Sequence, residues 1–226
     1  MIIQTHSNLK LSDAASNKPR DAELCDKKPA VIVRPSAVHK RDLRDMRRKK
    51  TAIEAIADFE KGVEIFGFTK GQFSCMDMIS AIFQKIGYAD RMSISTWACA
   101  KSDVHQVLDL VKSGKLEKGR WLFDYTFQRR MPGVANEIRQ AFGKDGIRVA
   151  KNHAKFITIR SENWKIVMRS TMNLNFNPRF EHFTLAHDPE IYDFIENILD
   201  SVWNRQGPNL QFQNAGTIEK HFENEL

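Results

Sequence analysis

Between residues 91 and 150 the chain switches repeatedly between short apolar runs and helical spacing. RMSISTW at 91–97 reads as a strand, and 103–113 then places Val104, Val107, Leu108 and Val111 on one helical face. GRWLFDYTF at 119–127 is a second strand, 133–142 a second helix and IRVA at 147–150 a third strand. Strand–helix–strand–helix–strand leaves few architectures. It predicts an α/β sheet, mostly parallel, with helices on its faces. Two more amphipathic helices fit around it. One spans 71–87, with Phe73, Met76, Ile79, Ile82 and Phe83 inward and Gly87 as its stop. The other spans 189–204, with Ile191, Phe194, Ile195, Ile198, Leu199 and Trp203 on its apolar side.

The stretch after the third strand carries the chemistry. HAKFITIRSENWKIVMRSTMNLNFNPRFE, from His153 to Glu181, opens with an imidazole and an ammonium two residues apart. An apolar run follows, then the polar turn Ser161-Glu162-Asn163, then the β-branched run WKIVM. This is a hairpin of strands at 154–160 and 164–169. On a strand His153 and Lys155 project from one face. The returning arm brings Ser170, Thr171 and Asn173 to the same end. A nucleophile or base, a cation and neutral hydrogen-bonding groups at one sheet edge suit attack on a phosphate.

These residues resemble the phospholipase D superfamily, whose signature is HxKxxxxD followed by GSxN. His153 and Lys155 match the first motif, Thr171 stands where the family has Ser, and Asn173 matches the Asn. Glu181 is the candidate for the acidic residue that the family often places downstream. Two positions depart from the pattern: Arg160 occupies the Asp position and Ser170 replaces the Gly. The resemblance implies a phospholipase D-like α/β sandwich over residues 68–205. It also implies metal-independent phosphodiester chemistry with no cofactor. One His153 attacks phosphorus, a second protonates the leaving oxygen, Lys155 and Asn173 hold the oxygens, Thr171 donates a hydroxyl hydrogen bond, and Glu181 orients the His153 ring. The family's two-motif enzymes carry two halves in one chain, whereas only one HxK motif is present here. A homodimer sharing one site is therefore expected.

The 226 residues allow one domain of roughly 150 residues plus extensions. A net charge of +7 and a pI near 9.3 favour a polyanionic partner, DNA before RNA and either before an anionic membrane surface. Arg41, Arg44, Arg47, Arg48, Lys49 and Lys50 crowd the first half of a helix expected over 39–61. Its apolar stripe is Ile53, Ile56, Ala57 and Phe59, within a basic helical extension over 39–67. That cluster reads either as a solvated charged face or as a contact to phosphate backbone. Arg129 and Arg130 follow a strand end, where they line either a phosphate path or an exposed loop. Residues 1–38 are expected to be a flexible tail and 206–226 a second one. The cysteines Cys25, Cys75 and Cys99 have no metal-ligand spacing and suit a cytoplasmic protein with reduced thiols. No carboxylate cluster marks a metal site, and no apolar run approaches a membrane span.

Two further readings compete with a nuclease-like phosphodiesterase. One is a non-catalytic nucleic-acid-binding protein that keeps the fold, and the other is a phospholipid-acting enzyme. His105 reads as a surface or packing histidine, and no spacing makes His182 or His187 a ligand together with His153.

Overall fold

The computed structural model describes residues 38–49 and 51–207. The expected tails and Cys25 lie outside them, apart from Val38 and the two residues 206 and 207. Arg48's side chain and Lys50 also lie outside them.

The strands in chain order are β1 (Lys40–Asp45), β2 (Val63–Thr69), β3 (Ala89–Thr96), β4 (Leu116–Asp124), β5 (Ile147–Ala150), β6 (Phe156–Arg160), β7 (Lys165–Ser170) and β8 (Glu181–His187). The helices are α1 (Ala52–Ala55), α2 (Cys75–Ile86), α3 (Lys101–Lys112), α4 (Phe127–Arg130), α5 (Pro132–Phe142) and α6 (Pro189–Arg205). The strands form one sheet in the order β1-β2-β8-β7-β6-β3-β4-β5. The expected α/β fold with helices on a sheet is therefore present, and α2, α3, α5 and α6 fall where the periodicity places them.

Local signals set these helix ends. Ser74 and Asp77 form a reciprocal capping box at the start of α2, with Ser74 Oγ accepting from Asp77 N at 3.1 Å and Asp77 Oδ2 from Ser74 N at 2.7 Å. Gly87 closes α2 at φ +77°, a conformation that favours glycine. At α6, Asp188 Oδ1 accepts from the backbone of Glu190 and Ile191, and Pro189 occupies the first turn.

Strand alternation sorts the sheet into two unlike faces. Ile65, Ile94, Phe123, Ile157, Met168 and Leu185 point into the main core shared with α1, α2, α3 and α5. The opposite face is polar, and α6 covers only part of it. Glu196 of α6, nearly buried, accepts from Thr158 Oγ1 at 2.6 Å and from Arg120 Nη2 at 2.8 Å. Arg120 also reaches Ser93 Oγ and Asp200, and lies over the Trp203 ring.

Two expectations are corrected. The sheet is mixed rather than mostly parallel. β1–β2, β3–β4 and β4–β5 are parallel, but β6, β7 and β8 are joined by short connections and form an antiparallel meander between β3 and β2. The expected basic helix over 39–61 is instead β1, a 3-10 turn at Met46–Arg48 and the short α1. The physical reason lies in the charge spacing. Arg44 bonds Asp42, and Arg47 bonds Asp45, each two residues away. Extended backbone and tight turns bring such pairs together, whereas a helix separates them. β1 then pairs along β2, with Arg41 meeting Glu64 at 2.6 Å.

The α6 interface yields a test. Glu196→Ala removes the buried partner of Arg120 and Thr158, leaving Arg120 with Ser93 and the exposed Asp200, and should lower unfolding free energy by about 3 kcal/mol, read from the urea midpoint. Asp200→Ala removes the exposed partner of the same arginine and should cost under about 1 kcal/mol.

Candidate active site

The C-terminal ends of β3, β4, β5 and β7 and the starts of β6 and β8 lie at one end of the sheet. That end is where open α/β folds build sites. The expected catalytic residues all fall there, although His153 and Lys155 precede β6 rather than lying on it.

The loop between β5 and β6 is built around a buried amide. Asn152 Nδ2 donates to Ser95 Oγ at 3.0 Å and to the Leu122 carbonyl at 3.3 Å, while its Oδ1 accepts from Ala154 N at 3.0 Å. Ser95 Oγ donates in turn to the Ala154 carbonyl. His153 is thus an exposed side chain on a backbone clamped on both sides. No hydrogen bond or ion pair among the described residues engages its ring.

Lys155 is half-buried, and its Nζ donates to the His153 carbonyl at 2.8 Å. Burial pushes its pKa down, and the Glu181 carboxylate pulls it back up. Glu181 therefore acts electrostatically on Lys155. The expected bond from Glu181 to the His153 ring is absent among the described residues.

Backbone bonds carry the geometry across three segments. Ser170 N donates to the Lys155 carbonyl at 3.1 Å, and Ser170 Oγ donates to the His182 carbonyl at 2.9 Å. Thr171 is exposed, and its Oγ1 accepts from His182 N at 3.0 Å. Thr171 is thereby pinned to the start of β8, next to Glu181. Beyond it, Leu174 N donates to Thr96 Oγ1, and the Leu174 carbonyl accepts from Met76 N. These bonds clip the 171–180 loop to the end of β3 and the start of α2. Asn173 sits just before that clip, its Oδ1 buried without a hydrogen-bond partner. A buried acceptor left open is costly unless a donor arrives. Gly71 supports the same loop. Its φ is +77°, and a Cβ there would meet the Asn177 carbonyl at 2.4 Å.

The expected nucleic-acid residues divide. Arg41, Arg44 and Arg47 are committed to carboxylates: Glu64, the Asp42 and Asp58 pair, and Asp45. They lie on the opposite side of β2 from the His153 loop. Lys49 and Arg129 are exposed. Arg130 bonds the Trp97 carbonyl at 2.8 Å and stacks 4.0 Å from that indole's centroid. Both α4 arginines lie at the site's end of the sheet.

Two other histidines have structural partners, while His182 Nδ1 is buried without a hydrogen-bond partner. His105 pairs with Glu137, and His187 accepts from Lys165 N, its pKa held down chiefly by burial. Cys75 and Cys99 are buried thiols whose pKa values burial raises. Among the described residues no group of three or more His, Cys, Asp or Glu side chains is placed to hold a metal ion. No described helix is long and apolar enough to cross a membrane.

Sequence reasoning missed Asn152 and Ser95, which hold the His153 loop. The only available signal was a polar residue beside the histidine, in KNH.

Two tests follow from this geometry. Asn152→Ala should cost about 1–3 kcal/mol in denaturant unfolding by stranding the groups it bonds. Glu181→Gln removes the charge that raises the Lys155 pKa, leaving the downward effect of burial. Lys155 should then lose its proton at lower pH, and its acetylation at fixed pH, followed by peptide mass spectrometry, should accelerate.

No family model matches this chain, and no curated protein matches it. Solved structures do. Polyphosphate kinase from Porphyromonas gingivalis is 13% identical with a TM-score of 0.47, the match covering 72% of this chain and 29% of that one. This chain thus spans under a third of that kinase's length. Nuc from Salmonella typhimurium is 13% identical with a TM-score of 0.42, covering 63% of this chain and 94% of that one. TrmBL2, an archaeal chromatin protein, is 11% identical with a TM-score of 0.35, covering 52% and 44%. The solved structures similar to this chain thus include a member of the phospholipase D family, Nuc.

Proposed function

We propose that this chain is a metal-independent phosphodiesterase acting on nucleic acid, DNA before RNA, through a phosphohistidine on His153. The observation that supports this most is the placement at one sheet end of His153, Lys155, Thr171 and Asn173, with the His153 imidazole exposed and the Lys155 ammonium half-buried beside it. A packed core does not require an exposed imidazole and a half-buried ammonium together.

One His153 nitrogen attacks phosphorus, and a P–N bond forms as the P–O bond to the leaving group breaks. The leaving oxygen takes its proton from a second imidazole, supplied by His153 of a second copy of the chain. Water then attacks the phosphohistidine, giving a proton to that second imidazole, and the P–N bond breaks to restore the enzyme. The two imidazoles must start in opposite protonation states. Lys155 and the Asn173 amide N–H groups hold the non-bridging oxygens as charge redistributes. Asn152 and Ser95 are positioning residues, acting through the backbone of the His153 loop. Exposed Lys49 and Arg129 are the expected side chains best placed to add phosphate contacts without first breaking an ion pair.

A second reading is a nucleic-acid-binding protein that has lost turnover. It is favoured by Arg160, which stands where the resemblance places an acid and pairs with Asp90 at 3.4 Å.

Labelled single- and double-stranded DNA and RNA, incubated in excess EDTA, separate these readings. Cleavage should survive the chelator and fall at least about a thousandfold in His153→Ala, given the roles of nucleophile and proton donor. Retention of DNA with no cleavage would replace the enzyme with the binding module.

A further inference from the structure

α6 leaves one part of the sheet's polar face open, over β1, β2 and β8, and this part carries aromatic rings. Phe66 and Phe68 alternate onto it from β2, and His182 projects beside them from β8, across from Phe68. Phe180, just before β8, stacks on Phe68 with centroids 5.1 Å apart and planes 17° from parallel. Phe66 meets Phe68 edge-on at 5.4 Å and stacks on His182 at 5.7 Å. The cluster is open to solvent, with Phe180 65% and Phe68 36% exposed.

Its surroundings are cationic. Arg41 and Arg169 both bond Glu64 on this same face, two guanidiniums against one carboxylate. Lys70 and Arg179, both exposed, follow Phe68 and precede Phe180 closely in the chain. The patch adjoins the end of the sheet that holds the candidate site. Phe180 and His182 flank Glu181 in the chain, so Phe68, Phe180 and His182 lie at the same strand ends as the site, while Glu181 is in phase with the core-facing Phe183 on the other face.

We propose that Phe66, Phe68, Phe180 and His182 form a stacking subsite for the unpaired bases of a single-stranded nucleic acid, with Arg41 and Arg169 against its backbone. Flat rings with an exposed face suit bases, which offer a π-face whatever their identity. Guanidiniums at the rim suit phosphate and oppose a purely apolar partner. A duplex hides its base faces in its own stack, so the subsite selects unpaired strands. This inference rests on the phosphodiesterase reading for its purpose, and its test is separable from that reading.

The test uses the full chain carrying Phe68→Leu and Phe180→Leu, which keep apolar bulk but remove the π-faces. Binding of a fluorescein-labelled mixed-sequence single strand, and of its duplex, is followed by anisotropy in a His153→Ala background so that neither is cut. Single-strand affinity should fall at least about tenfold, and duplex affinity should hold. Phe68→Trp and Phe180→Trp should restore single-strand binding. With His153 intact, the leucine variant should hydrolyse bis(p-nitrophenyl) phosphate as the unaltered protein does, because that diester needs no base subsite. Unchanged single-strand affinity, or equal loss for single strand and duplex, overturns the subsite. Loss of self-association in sedimentation with no change in strand binding also overturns it and makes the face a contact between copies. If the unaltered protein leaves the small diester intact, the phosphodiesterase reading falls, and the binding comparison still decides the subsite.

Discussion

The candidate site hangs on the register of β6. That strand is bonded on both sides, to β3 and to β7, and both ladders are antiparallel. Ile157 and Ile159 are buried in the core, and Thr158 on the other face bonds Glu196 of α6. A slip of one residue would turn Thr158 into the core and the isoleucines toward a carboxylate. The same slip would carry the Lys155 carbonyl away from Ser170 N and break the link to β7 and β8. Hydrophobic burial in mid-strand therefore fixes where an ammonium stands at the strand's end.

Much of this was legible in the sequence because its signals are local. α2, α3, α5, α6 and the β6–β7 hairpin each announce themselves by periodicity and caps. β2 and β8 carry no signal beyond the alternation of VEIFGFT and EHFTLAH. Their pairing joins segments more than a hundred residues apart, and nothing local says that a lone alternating run has a partner. Gly67 shows the cost of that blindness. It lies inside β2 because a Cβ there would approach the Phe183 ring of β8 to 2.9 Å, a reason invisible until the two strands meet. The site residues were legible by type and order. The buried contacts of Asn152 with Ser95 and Leu122 were not, since they join three separate strand ends.

Charge taught a related lesson. The density at residues 40–50 reads as a free cationic surface when only positive residues are counted. In the fold Arg41, Arg44 and Arg47 meet four carboxylates, Glu64, Asp42, Asp58 and Asp45. These partly exposed pairs contribute little stability each. They do mean that a phosphate contacting Arg44 or Arg47 must displace a carboxylate, which weakens the electrostatic gain; Arg41 differs, because it shares Glu64 with Arg169. A net charge of +7 bears on partners only through charges not already answered within the fold.

Arg160 is where the chain departs most from the pattern it resembles, and the fold limits the effect of that change. β6 runs away from the site, so five residues of extended chain place Arg160 roughly 17 Å from Lys155 along the strand. That exceeds the Debye length of about 8 Å at physiological ionic strength, and Arg160 is partly exposed. Its charge therefore reaches His153 and Lys155 only weakly. Here Thr158, one turn of the pleat closer to the site, bonds Glu196, which also holds Arg120. A carboxylate from α6 thus braces β6 from the neighbouring layer, and Arg160 is left to pair with Asp90 on β3. The departure thus leaves β6 braced and lies at the strand end remote from the candidate site.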